Sequence, residues 1–90
     1  MWFDAYDSTQ VTLQSGTSNV TGWKDKSGNG WNTTGGGTGT KPTYSSTGFN
    51  GNPGIYFQSG GYLSTANLSP TPVLSSNATD TTVFIVYNNL

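Results

Sequence analysis

The sequence predicts an all-β chain folded as an antiparallel β-sandwich, and three features point there. Its apolar runs are short, rich in β-branched and aromatic residues, and separated by Gly/Asn/Ser clusters. No window repeats apolar residues at i, i+3, i+4 and i+7, the spacing of an amphipathic helix. The 13 glycines recur too often for a long helix, since each costs about 1 kcal/mol relative to alanine in a helix interior.

Six strands are expected. Trp2–Tyr6 places aromatic rings in a short opening run, Gln10–Leu13 alternates polar and apolar residues, and Val20–Lys24 centres on Trp23. Gly54–Gln58 carries Ile55, Tyr56 and Phe57, and Tyr62–Ser64 follows a Gly-Gly break. Thr81–Tyr87 is almost continuously apolar, which suits a central strand covered on both faces. Phe3, Trp23, Ile55, Phe57 and Phe84 are the expected core, because aromatic area is the most effective stabiliser of so polar a chain. Between Asn32 and Thr40 the low-complexity run predicts a flexible surface loop, and Asn67 to Asp80, with Pro70 and Pro72, predicts a second long connection. A final strand so apolar needs neighbours on both edges, so residues 1–90 are expected to form one partial domain whose sheet is completed elsewhere.

Ninety residues allow one domain, burying roughly 60–65% of the surface the unfolded chain exposes. Only 8% of residues are charged, against about 25% in an average soluble domain, so neutral polar groups must supply solubility. With a net charge of −1 and 13% aromatic residues, the composition is that of a folded, turn-rich protein and not of a disordered one. Three lysines and no arginine leave no basic footprint for phosphate backbones or anionic lipid, so neither nucleic acid nor membrane insertion is expected. The absence of cysteine removes disulfide frameworks and thiolate chemistry. Met1 runs straight into Trp2-Phe3-Asp4 with no basic region or apolar leader, so export is expected to be encoded elsewhere or to occur by lysis. Four Asn-x-Ser/Thr sequons begin at Asn19, Asn32, Asn67 and Asn77, against roughly two or three by chance in a chain so rich in Ser and Thr, and glycosylation is not inferred.

One order of motifs spans nearly the whole chain. Trp2-Phe3-Asp4-Ala5-x-Asp7 is followed by Val20-x-x-Trp23-x-Asp25-Lys26-Ser27-Gly28-Asn29-Gly30, then Pro42-x-Tyr44, then Asn50-Gly51-x-Pro53-x-Ile55-x-Phe57. This order resembles the N-terminal portion of concanavalin A-like lectin/glucanase modules of the laminin G-like type. The resemblance implies a two-sheet jelly roll of about twice this length, of the kind appended to adhesins, secreted glycan-active enzymes and phage tail or capsid proteins. Gln58 departs from the pattern, since related modules often carry Asp after the Phe.

Catalysis is not expected. Glycoside hydrolysis needs two opposed carboxyl groups roughly 5–9.5 Å apart, one with a raised pKa. The chain has four Asp and no Glu, and Asp4 and Asp7 are so close in sequence that capping and turning the backbone suits them better. Without histidine no Ser-His-Asp triad can form. The Gly-rich run 35–39 lacks the Gly-Lys-Ser/Thr ending of a phosphate loop. Asp25 to Gly30 places oxygen side chains as a calcium loop does, but position 12 is Gly36, which excludes an EF-hand. A weaker calcium site on Asp25 and Asn29 competes with an Asx-type turn in which both side chains bond their own backbone, and the turn is favoured. Trp31, Tyr56 and Tyr62, beside glycines or out of phase with the core, are candidate rings for stacking on sugar faces, against the alternative that they cover a sheet edge.

The expected function is a non-catalytic binding and decoration module on an extracellular or virion surface, meeting a glycan or cell-surface ligand and other virion or sister chains. Two alternatives are a structural assembly protein that completes its sheet with another chain, and an accessory piece of a larger glycan-degrading enzyme.

Overall fold

The computed structural model describes residues 1–36, 40–65 and 82–87. Their secondary structure is all-β apart from one 3-10 turn, Ser8–Gln10. Six strands follow: β1 (Val11–Leu13), β2 (Val20–Trp23), β3 (Thr33–Gly36), β4 (Thr43–Phe49), β5 (Asn52–Tyr56) and β6 (Tyr62–Thr65). They form two antiparallel sheets, one ordered β1-β2-β3-β6 and one made of the β4-β5 hairpin. A bridge between Asn19 and Thr43 joins the sheets, reinforced by Val20 N–H to the Pro42 carbonyl (2.7 Å) and Tyr44 N–H to the Ser18 carbonyl (2.9 Å).

The four-stranded sheet closes tightly because glycine lets its backbones approach. A Cβ on Gly22 would lie 3.0 Å from the Thr33 carbonyl oxygen, and one on Gly35 would lie 3.2 Å from that of Val20. Thr33 adds side-chain bonds to the same pairing: Trp23 N–H donates to its Oγ1 (3.0 Å), and the hydroxyl donates to the Trp23 carbonyl (3.1 Å). In the other sheet, Phe49 pairs with Asn52 across the two-residue turn Asn50-Gly51, whose φ angles of 51° and 80° are the positive pair a tight hairpin demands.

Little of this is deeply buried. Val20 has no exposed surface and Pro42 is fully enclosed where the two sheets meet. Phe3, Trp23 and Ile55 are half-buried. Phe57 and Phe84, expected in the core, remain 48% and 90% exposed.

Several expected elements are corrected. Trp2–Tyr6 is not a strand, because the carboxylates of Asp4 and Asp7 capture nearby backbone amides and turn the chain. The expected loop after Asn32 contains β3, placed between β2 and β6, since its glycines serve close approach and not mobility. β4 carries too many Ser, Thr and Gly to announce itself as a strand; the Asn-Gly dipeptide after it was the available signal. The expected strand Gly54–Gln58 is shifted to Asn52–Tyr56 by that turn. Residues 82–87 belong to no strand and are exposed throughout, although they were expected to be a central strand. Residues 37–39 of the first expected loop, and the connection from Asn67 to Asp80 together with Thr81, lie outside the described residues.

Gly22→Ala tests the close approach of β2 and β3. A Cβ at 3.0 Å from a backbone oxygen forces the strands apart, so the variant should lose about 1–3 kcal/mol in urea unfolding.

Candidate functional site

Asp25 follows β2 and is the only buried charged residue among those described, 8% exposed. Its Oδ1 accepts from the backbone N–H groups of Trp2 (2.7 Å) and Ser27 (3.0 Å). Its Oδ2 accepts from the Ser27 hydroxyl (2.6 Å) and from the Trp31 N–H (3.3 Å). Its own N–H donates to Asn32 Oδ1 (2.9 Å), and Lys26 N–H donates to the Trp2 carbonyl (2.8 Å). One side chain therefore ties the N-terminus, the end of β2 and the approach to β3 together. Burial by itself raises the Asp25 pKa, but the bonds from Ser27, Trp2 and Trp31 outweigh it and bring the group down to about 2 from 3.8.

Asp25 forms the Asx-type turn expected from the sequence, with Gly28 and Gly30 at φ of 85° and 75°, whereas Asn29, expected to bond its own backbone, instead donates to the Ser27 hydroxyl. Of the two residues considered for calcium, Asp25 has both oxygens occupied by donors, and Asn29 turns its amide onto Ser27 Oγ (2.9 Å). A cation held there must displace these donors. Among the described residues no three His, Cys, Asp or Glu side chains converge on a point where a metal ion could sit.

Lys26 projects over the opening segment. Its ammonium lies 3.0 Å from Asp4 Oδ2, 3.4 Å from Asp7 Oδ2 and 4.6 Å from the centre of the Trp2 ring. The hydrogen bond from Lys26, and then the Tyr6 amide, hold Asp4 below the usual carboxylate range; for Asp7 the Thr9 hydroxyl does most, followed by Lys26. The two carboxylates thus share one cation and brace turns, as their spacing suggested.

The larger feature is an open trough of about 1610 Å3. Its walls are the opening segment, Trp23, the β4-β5 hairpin and residues 82–87. Trp23 sits in the wall against Phe3, ring centres 5.3 Å apart and tilted by 39°, a contact worth about 0.5–1.5 kcal/mol beyond the area it buries. The Trp23 indole Nε1–H is buried without an acceptor among the described residues. Around it the trough exposes apolar side chains, including Trp2 (55%), Tyr6 (73%) and Phe57 (48%).

The three candidate stacking residues are not brought to one place. Tyr56, 47% exposed, ends β5 and lines the trough. Tyr62, half exposed, begins β6 opposite Gly36 and lies outside the trough. Trp31 is half-buried in the turn before β3, held by its own N–H on Asp25. Sequence reasoning missed the trough as a whole, because its walls come from four separated segments. The exposed rings at Trp2 and Tyr6 are displayed only because the opening segment is turned and not paired.

No family model matches the chain, and no curated protein or solved structure matches it either.

Asp25→Asn removes a charge that four donors answer and should cost about 2–3 kcal/mol at neutral pH. The folded protein keeps Asp25 ionised down to about pH 2, whereas the unfolded chain takes up the proton near 3.8. The stabilisation is complete above that upper value and is lost as pH falls through the lower one. Urea midpoints from pH 7 to pH 2 should show the gap between wild type and variant closing in this window; a constant gap would remove the electrostatic account.

Proposed function

We propose that this chain is a non-catalytic β-sandwich module of jelly-roll type that binds and decorates a surface, extracellular or on a virion. The observation that carries the proposal is the trough, a concave apolar face rimmed by aromatic side chains. Such a face favours docking over chemistry. The three carboxylates among the described residues agree with this: Asp4, Asp7 and Asp25 are held below the usual range, opposite to the raised pKa a general acid for glycoside cleavage requires. The motif order shared with concanavalin A-like modules supports the jelly roll and, with it, a glycan or cell-surface ligand. Tyr62 and Tyr56 offer rings for stacking on the apolar face of a sugar, and Trp31 offers a partly covered one.

A second function, assembly with sister or virion chains, is favoured by residues 82–87. They present Val83, Phe84, Ile85, Val86 and Tyr87 at 65–90% exposure along the trough wall. An uncharged run of this kind is the chemistry of an interface between chains.

Glycan-array binding tests the first function. Tyr62→Ala should weaken binding about tenfold, the loss of one stacking contact near 1.4 kcal/mol. An array without signal, or binding indifferent to Tyr62, Tyr56 and Trp31, would leave recognition of a sugar without support.

A further inference from the structure

We infer that the trough is closed by a second copy of this chain, the two packed face to face about a two-fold axis, with residues 82–87 of each copy seated against the β4-β5 hairpin of the other. The inference rests on the assembly function proposed above and names its partner.

Area is the first argument. Trp2, Tyr6, Tyr56, Phe57, Phe84 and Tyr87 all line the trough and are between 47% and 90% exposed. At roughly 200 Å2 for each aromatic side chain, they leave on the order of 800 Å2 of ring surface in water. A soluble monomer rarely carries an apolar patch above about 300–600 Å2, whereas a stable interface buries about 800 Å2 from each partner. The aromatic lining by itself matches what one side of a dimer needs.

Charge decides what kind of partner fits. Among the described residues Asp4 is the one charged side chain in the trough lining, and Lys26 already answers it. A strongly acidic or basic partner gains nothing from such a face. A copy of the same chain meets it with a net charge of only −1, so repulsion between copies is small.

Geometry supplies the third argument. The β4-β5 sheet has two strands, a form that is marginal without further cover. Residues 82–87 contain no Gly, Pro or charge and take part in no strand pairing. One chain therefore carries both a half-covered two-stranded hairpin and an unpaired apolar segment. In a two-fold pair each segment meets the hairpin of the other copy, and the contact closes without leaving a free face to propagate.

The test is the mass in solution of the 90-residue chain, by size exclusion with light scattering at roughly 0.1 mM, about a hundred times a micromolar Kd. Wild type should elute at twice the 9.5 kDa chain mass. Ile85→Lys changes a side chain that is 73% exposed and unpaired, so it should leave the far-ultraviolet dichroism intact while returning the mass to one chain. A wild-type monomer at that concentration overturns the inference, as does an open-ended oligomer, or a dimer that Ile85→Lys leaves intact. If wild type is monomeric yet binds glycans through Tyr62, which lies outside the trough, the dimer falls and the binding function stands. If it is monomeric and also silent on the array, both fall.

Discussion

The Asp25 carboxylate is the constraint on which the arrangement of the opening segment and the β2-β3 turn depends. Four donors on three residues, Trp2, Ser27 and Trp31, converge on its two oxygens, and it remains charged although only 8% of the residue is exposed. A buried charge is tolerable only when its lone pairs are satisfied, so the segments that satisfy it must stay in place. Trp2 is held through its N–H, the Trp31 turn through its own, and Lys26 is thereby placed beside Asp4, Asp7 and the Trp2 ring. The opening segment becomes a wall of the trough by this chain of contacts, not through strand pairing.

Backbone proximity does in the four-stranded sheet what side-chain volume does in most cores. Gly22 and Gly35 let β2 and β3 approach, and Thr33 doubles the pairing with its hydroxyl, while Val20 and Pro42 are the fully enclosed side chains among the described residues. The consequence is that most large apolar side chains are not needed inside. They collect along the trough, where Trp23 and Phe3 form a half-buried part of the wall and rings such as Trp2, Tyr6 and Phe57 face water. The orphan indole N–H of Trp23 marks this region as one where packing is unfinished.

The two places that could bind follow from that distribution. Tyr62 stands on β6 in the larger sheet, and the trough runs beside the hairpin. Tyr62 lies outside the trough and Tyr56 lines it, so a ligand stacked on Tyr62 would leave the trough free, whereas one stacked on Tyr56 would compete with whatever covers it.

Composition and spacing determined by themselves that this chain is all-β, that Asp4 and Asp7 turn the backbone, that Asp25 to Gly30 forms a glycine-assisted Asx turn, and where β1, β2 and β6 lie within a residue or two. These are local outcomes: side-chain oxygens within two residues of the amides they accept from, glycines where φ is positive, and short apolar runs. Tertiary structure decided the rest. Gly-rich Thr33–Gly36 is an inner strand because its neighbours come close enough to need a missing Cβ, which no local pattern reveals. Apolar 82–87, the best strand on composition, joins no strand ladder although the two-stranded β4-β5 sheet shares the trough with it, because propensity alone does not place a segment in hydrogen-bonding register with an edge.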